Sequence, residues 1–393
     1  MNRTKQTNLP LIILLVIAST SWLKAQDKDV PEFHFGGALR FNYNYSSWKD
    51  GHKKRGGDFG YDVLSLRPQA SYKGIGVNAD VRLYTDGFGG IILKQGWFDY
   101  DFTAQDQIQL GLTQVPFGIT HYNSNSFFFS LNYYIGLEDD HDMGIKYQHK
   151  DDKWSYAIAF FKNAEELTFG SNSDASNSRY SYDVGSIDEN GDGELQYRNK
   201  EVNQLNIHLN RQIKEGELIH NMGVSGEFGG LYNLDTEGMG SHFATAIHYE
   251  TSYRKWKLKT QVSYYKNSPN TPEGERTDVV AMTAFGAPYL VAAEATTYTV
   301  GLSFTQAVDW GPISCLMFYN DFGYMDKAED SFYDSYQNVT GCLVFAGPIY
   351  TYIDAALGKN QPWLGPDYNT ALAYGSEGAE WHLRFNINFG YYF

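Results

Sequence analysis

The sequence predicts an all-β fold, a transmembrane antiparallel up-and-down β-barrel of about 16 strands. Three observations predict it. Apolar side chains recur at every second position in segment after segment, the spacing of a strand with one apolar and one polar face. The connections between these segments alternate long and short. The composition combines 31 Tyr, 25 Phe and 39 Gly with a mean hydropathy of only -0.44. That suits strands which turn their polar residues inward. It excludes a bundle of membrane helices, each of which needs about 20 apolar residues in a row. The longest apolar run, residues 11–18, is far too short.

The chain begins with an export signal. Arg3 and Lys5 form a basic start, and residues 9–22 form an apolar stretch interrupted by Pro10. Ala25 before Gln26 is the expected cut, with Leu23 departing from the small residue usual two positions earlier. The domain reading is a signal peptide over 1–25 and one barrel domain over 26–393. No cysteine adjoins the cut, which argues against a lipid anchor. The formal charge is -15, and cleavage removes Arg3, Lys5 and Lys24 and no acid. So acidic a chain is not a nucleic-acid binder.

The alternating segments are 33–45, 61–73, 75–85, 93–102, 106–113, 141–149, 153–162, 201–212, 217–228, 242–253, 256–267, 297–306, 313–322, 337–346, 349–359 and 380–393. The last is the clearest. Trp381, Leu383, Phe385, Ile387, Phe389, Tyr391 and Phe393 alternate with Glu380, His382, Arg384, Asn386, Asn388 and Gly390. The long connections include 114–140 and 163–200; the short ones include Gly74, 150–152 and 254–255. This alternation places both termini of the barrel on the short-turn, periplasmic side. Closure follows from solvent physics, because each unpaired backbone group in lipid costs several kcal/mol. Tyr43, Tyr45, Tyr72, Tyr84, Tyr264, Tyr265, Tyr391 and Tyr392 lie near strand ends and are expected as interfacial girdles. Pro68 falls inside a strand, where it cannot donate to the ladder, and calls for a bulge or a shifted boundary. Cys315 and Cys342, the only cysteines, are read as small wall residues, with one bridge as the alternative. A barrel of about 16 strands leaves an aqueous channel, so the expected function is passive diffusion of small hydrophilic solutes or ions.

Three neighbouring stretches carry a resemblance. Gly111-Leu-Thr-Gln-Val-Pro-Phe-Gly118, Tyr133-Tyr-Ile-Gly-Leu-Glu-Asp-Asp140 and His141-Asp-Met-Gly-Ile-Lys-Tyr147 together resemble bacterial outer-membrane porins, the phosphate-selective porin family in particular. The resemblance implies a third external loop, 114–140, folded into the lumen as a constriction. It also implies a homotrimer in the outer membrane, in contact with its lipid. The terminal Phe393 resembles the signal read by the barrel-assembly machinery. The chain departs from the pattern in one respect. A phosphate-selecting site needs a cluster of Arg or Lys, and 114–140 contains neither.

Residues that could carry selectivity fall in two groups. Arg384, Arg40, Arg67 and Arg82 lie on the polar face of strands that become neighbours on closure, and their spacing predicts one common height. Glu138, Asp139 and Asp140 end the third loop and are expected to oppose these arginines across the lumen, with Asp80 as a local partner. Such opposed charges would form a transverse field at the constriction. Phe127, Phe128, Phe129, Tyr133 and Tyr134 in the same loop need cover and are expected to pack inside the barrel, with a sugar-stacking track as the alternative. Asp188, Asn190 and Asp192 begin a calcium-like loop, D-x-N-x-D-G, whose twelfth position is Asn199 rather than Glu. A structural Ca²⁺ there is the only cofactor the sequence suggests. No hydrolase or nucleotide-binding motif occurs, and His121 with Ser124 or Ser126 is a loose constellation at best, so the protein is expected not to be an enzyme. The alternatives to a passive channel are a substrate-selective channel, for an oligosaccharide or an anion such as phosphate, and a non-conducting adhesion or scaffold barrel.

Overall fold

The computed structural model describes residues 30–120, 122–165, 179–188 and 195–393. The expected signal peptide and the calcium-like segment, apart from the backbone of Asp188, lie outside the described residues, as does His121. Sixteen antiparallel strands close into one barrel in sequence order. They are Glu32–Ser46 (β1), Asp58–Tyr72 (β2), Ile75–Leu83 (β3), Ile91–Asp101 (β4), Asp106–Gln114 (β5), His141–Lys150 (β6), Trp154–Ala164 (β7) and Asn199–Glu215 (β8). The second half comprises Leu218–Asn233 (β9), Met239–Tyr253 (β10), Trp256–Ser268 (β11), Glu294–Trp310 (β12), Ile313–Lys327 (β13), Ser335–Ala346 (β14), Ile349–Lys359 (β15) and His382–Tyr392 (β16). Among the described residues no helix is long and apolar enough to cross a membrane.

Strands β1 and β16 pair from Ala38–Tyr392 to Ser46–Arg384, which leaves the sheet without an edge. The seam ends in two backbone hydrogen bonds between Gly37 and Phe393, at 2.9 and 3.1 Å. A Cβ at Gly37 would lie 2.6 Å from the Phe393 ring, so a side chain there would push the terminal residue off the seam.

The wall follows the period-two rule closely. In β10, Ile247 is 68 % exposed on the outer face while Ala246 beside it is 1 % exposed on the inner. Phe98, Phe228, Val262 and Phe389 extend the outer apolar surface around the barrel. A polar cluster interrupts it on β13 and β14. Asn320 donates to Asn338 at 3.1 Å and to Thr340 at 2.7 Å, so these outward polar groups satisfy one another.

Several expectations are corrected. Many strands run further than alternation suggested, notably β9, β12 and β13; burial still alternates along the added residues, but glycines such as Gly229, Gly230 and Gly323 carry no side chain to show it in the sequence. Tyr265 is buried, with its hydroxyl donating to the Ala292 carbonyl at 2.8 Å, and Tyr84 and Tyr392 line an inner cavity. These three tyrosines are therefore not girdle residues. Tyr264–Tyr265 and Tyr391–Tyr392 are adjacent pairs, and adjacent strand residues point to opposite faces. Pro68 needs neither bulge nor boundary shift. The ladder between β2 and β3 passes from Leu66–Val81 to Gln69–Asn78 in unbroken register, with Arg67 and Pro68 unpaired on that side. The cysteines are free, and they stand on opposite faces of neighbouring strands: Cys315 shares the inner face of Tyr319, and Cys342 the outer face of Thr340.

The connections read as loops also contain structure. Val279–Thr283 and Tyr289–Ala292, from the connection after β11, pair with Asp183–Val184, from the connection after β7, as a small three-stranded sheet. Every one of these residues is buried, and they join Leu131, Tyr133, Tyr134, Ile135 and Leu137 in one apolar core. A strand covered on both faces has no alternation to betray it.

Candidate pore constriction

Loop 115–140 crosses the lumen and fastens to the far wall. Gly118 donates to Ser225 of β9, Ile119 to Gln261 of β11 and Asn123 to Thr299 of β12, at 2.8–2.9 Å. Asp321 of β13 accepts from the backbone of Asn125 and Ser126 and from the Asn125 side chain, at 2.7–2.8 Å. Gln337 of β14 donates to the Phe129 carbonyl at 2.8 Å. The Lys259 ammonium donates to the Tyr122 and Ser124 carbonyls. Gly118 adopts φ +57°, and its peptide lies too close to Gln261 for a side chain. Anchored to β8, β9 and β11–β14 and packed on β15 through Phe127 and Phe128, the loop leaves room beside β16, β1, β2 and β3.

A cavity of about 430 Å³ occupies that sector. Arg40, Arg67, Arg82 and Arg384 all line it, so the structure brings together the four arginines singled out from the sequence. Their backbones pair at different positions along the ladder. Arg67 pairs with Gly36, Arg82 pairs with Ser65 and through it with Ala38, and Arg384 pairs with Ser46. Measured along β1 the cations form a staircase from Gly36 to Ser46. Register across a closed barrel is set by the shear of the whole sheet, which residue counting from strand ends does not give.

What faces the arginines differs from the expectation. Glu138, Asp139 and Asp140 are buried and do not oppose them across open space. Glu138 ties the loop to itself, accepting from the backbone of Asn123 and Ser130 at 2.9 Å and from the Ser130 hydroxyl at 2.5 Å. Burial holds its carboxyl above the usual range. Asp139 pairs with Lys94 of β4 at 2.6 Å and accepts from the Tyr180 hydroxyl at 2.8 Å. Burial works against its ionisation, but the Lys94 ammonium and His141 outweigh it and hold the carboxyl below its ordinary value. Asp140 has carboxylate oxygens of Asp142 and Asp183 within 4.8 Å. Burial first, then Asp183 and Asp142, push the Asp140 carboxyl well up. Burial also pushes Asp183 up to about 6 although Arg179 lies 3.1 Å away. The acids seat the loop because a lumen filled by other loops leaves them no water to face.

The arginines face aromatic rings instead. Arg40 lies 5.5 Å from the Phe127 ring centre, Arg384 5.4 Å from that of Phe128 and Arg82 4.5 Å from that of Tyr180. Phe129 stacks on Tyr133 at 4.2 Å, and the Tyr134 hydroxyl closes the turn onto the Phe128 carbonyl at 2.8 Å. Asp62 pairs with Arg40 at 2.8 Å, and Asp80 pairs with Arg82 at 3.1 Å and Arg67 at 3.4 Å. Arg384 takes the Asn44 side chain at 2.9 Å and the Trp363 carbonyl at 3.4 Å, both neutral. Asp62, Lys94, Tyr180 and Trp363 escaped the sequence reading. Asp62 sits at the bulge where Arg40 pairs with Val63 and Phe41 with Tyr61, which breaks the alternation that would have flagged it.

A second cavity of about 700 Å³ lies against the opposite sector, lined among others by Lys146, His149, His208 and Glu250.

A closed 16-stranded barrel narrowed by its third external loop is the architecture of the bacterial outer-membrane porins. No family model matches the chain, and no curated protein matches it. Solved structures do. The outer-membrane channel DcaP of Acinetobacter baumannii matches with a TM-score of 0.56 and 12 % identity, over 93 % of this chain and 99 % of that one. An anion-selective porin from Comamonas acidovorans gives 0.55 and 12 %, over 93 % and 100 %. OmpT of Vibrio cholerae, described in a trimer form, gives 0.50 and 13 %, over 93 % and 100 %. At these identities the chain shares the porin fold.

Proposed function

We propose that this protein is an outer-membrane porin, through which small hydrophilic solutes cross passively between the arginine staircase and the aromatic face of loop 115–140, with a preference for anions. The supporting observation is the cavity in which four guanidinium groups outnumber the two carboxylates of Asp62 and Asp80. An excess of fixed positive charge in a narrow passage raises the local concentration of anions. The described fold of the neighbours, one of them an anion-selective porin and another a trimer, supports the same reading and a homotrimeric state. Outer-membrane lipid and the barrel-assembly machinery, through Phe393, complete the partners of this reading.

The test is single-channel current in a planar bilayer under a salt gradient, on protein whose mass in detergent is that of three chains. Steady current with an anion-selective reversal potential is expected. A cation-selective potential would remove the role given to the arginines. The apolar core inside the barrel favours a second reading, a plugged scaffold. No current from folded protein would establish it.

A further inference from the structure

We propose that the cavity between the arginine staircase and loop 115–140 is a binding station for aryl carboxylates, small anions that carry an aromatic ring. The inference rests on the channel reading above and names the solute class of that passage.

Two features must be met by one ligand. The first is charge. Asp62 and Asp80 account for Arg40, Arg67 and Arg82, while Arg384 hydrogen-bonds, among the described residues, to the neutral Asn44 side chain and Trp363 carbonyl. A guanidinium in this position has donors left for a carboxylate, and the planar fork suits two oxygens at once. The second is apolar surface. Tyr122 is 43 % exposed and Phe127 and Phe129 are half-buried, although all three line a cavity inside the barrel. Their remaining exposed surface is turned to the passage rather than to lipid. Tyr352 of β15 extends this surface, its ring centre 6.1 Å from that of Phe127, and Tyr350 lines the same cavity.

Inorganic anions would use the arginines and leave the rings wetted. Neutral sugars would use the rings and leave the cations without a counter-charge. A ligand with a carboxylate at one end and a ring at the other satisfies both, with the ring stacked beside Phe127 and the carboxylate on Arg384. Phe127 already contacts Arg40, and Phe128 contacts Arg384, so ring and cation sites are within one small molecule of each other.

The experiment uses full-length protein purified in detergent. Heat of binding is measured for benzoate, for acetate, which has the charge without the ring, and for benzamide, which has the ring without the charge. Benzoate is expected to bind at least about tenfold more tightly than either. Arg384→Gln should weaken it about tenfold and Phe127→Leu about threefold, each variant first shown to retain its β-sheet spectrum. In the bilayer, benzoate added to one side should interrupt the potassium chloride current saturably while acetate does not. Equal affinity for acetate and benzoate would overturn the proposal, as would benzamide binding as well as benzoate. The two readings separate cleanly: benzoate binding without current would overturn the channel and keep the site, and current without preferential benzoate binding would do the reverse.

Discussion

At the scale of single residues, the acids at the end of the crossing loop show how burial reassigns a charge. Glu138, Asp139 and Asp140 look like one acidic patch in the sequence, yet each has a different partner. Asp139 is matched by Lys94, and its loss of either partner would strand a buried charge, which costs about 3–5 kcal/mol. Asp140 is surrounded by like charge from Asp142 and Asp183. Its carboxyl is held well above the usual value, so the folded state keeps a proton that the unfolded chain releases. A raised carboxylate stabilises the fold below the ordinary value near 4 and loses that contribution as pH rises through the folded value. Asp183, at about 6, places a neighbouring step between about 4 and 6. The isosteric Asp140→Asn variant is therefore expected to match the native protein in thermal unfolding at pH 4 and to exceed it at pH 8 by about 1 kcal/mol. A variant weaker than the native protein at pH 8 would mean that Asp140 is ionised and compensated.

At the scale of elements, the third loop is a strap whose hold is local and countable. Asp321 alone fixes three donors of Asn125 and Ser126. Removing the carboxylate leaves them without an acceptor in a dry setting, at about 1–3 kcal/mol. Asp321→Ala should loosen the middle of the strap and give a larger, noisier single-channel current with the barrel still formed. An unchanged current would show that Gly118, Asn123 and Phe129 hold the loop without it. The strands around the loop were legible because lipid on one side and polar matter on the other impose a period of two. The strands 279–283 and 289–292 were not legible, because protein covers both of their faces.

At the scale of the molecule, selectivity depends on how the wall closes. Arg384 and Arg40 are hundreds of positions apart in the chain and are neighbours only because β16 pairs with β1. Arg40→Gln with Arg384→Gln should shift the reversal potential toward cations in 0.1 M salt. The native preference should shrink in 1 M salt, where screening acts over about 3 Å rather than about 10 Å. A potential unmoved by the double variant would place the selecting charge elsewhere in the lumen.

Residue order alone specifies the barrel. All sixteen strands, the alternation of long and short connections and the four arginines on one inner face follow from residue order, because facing is set by parity along a strand. It also singled out 114–140 as the loop with too much apolar surface for solvent. What the arginines meet, and in what register, comes from the closed fold. Register across the seam, the bulge beside Asp62 and the inward folding of several separate loops are long-range matters. Burial then chose Lys94 for Asp139 and aromatic rings for the arginines, since a charge in a crowded lumen is stable only beside the group that closure brings to it.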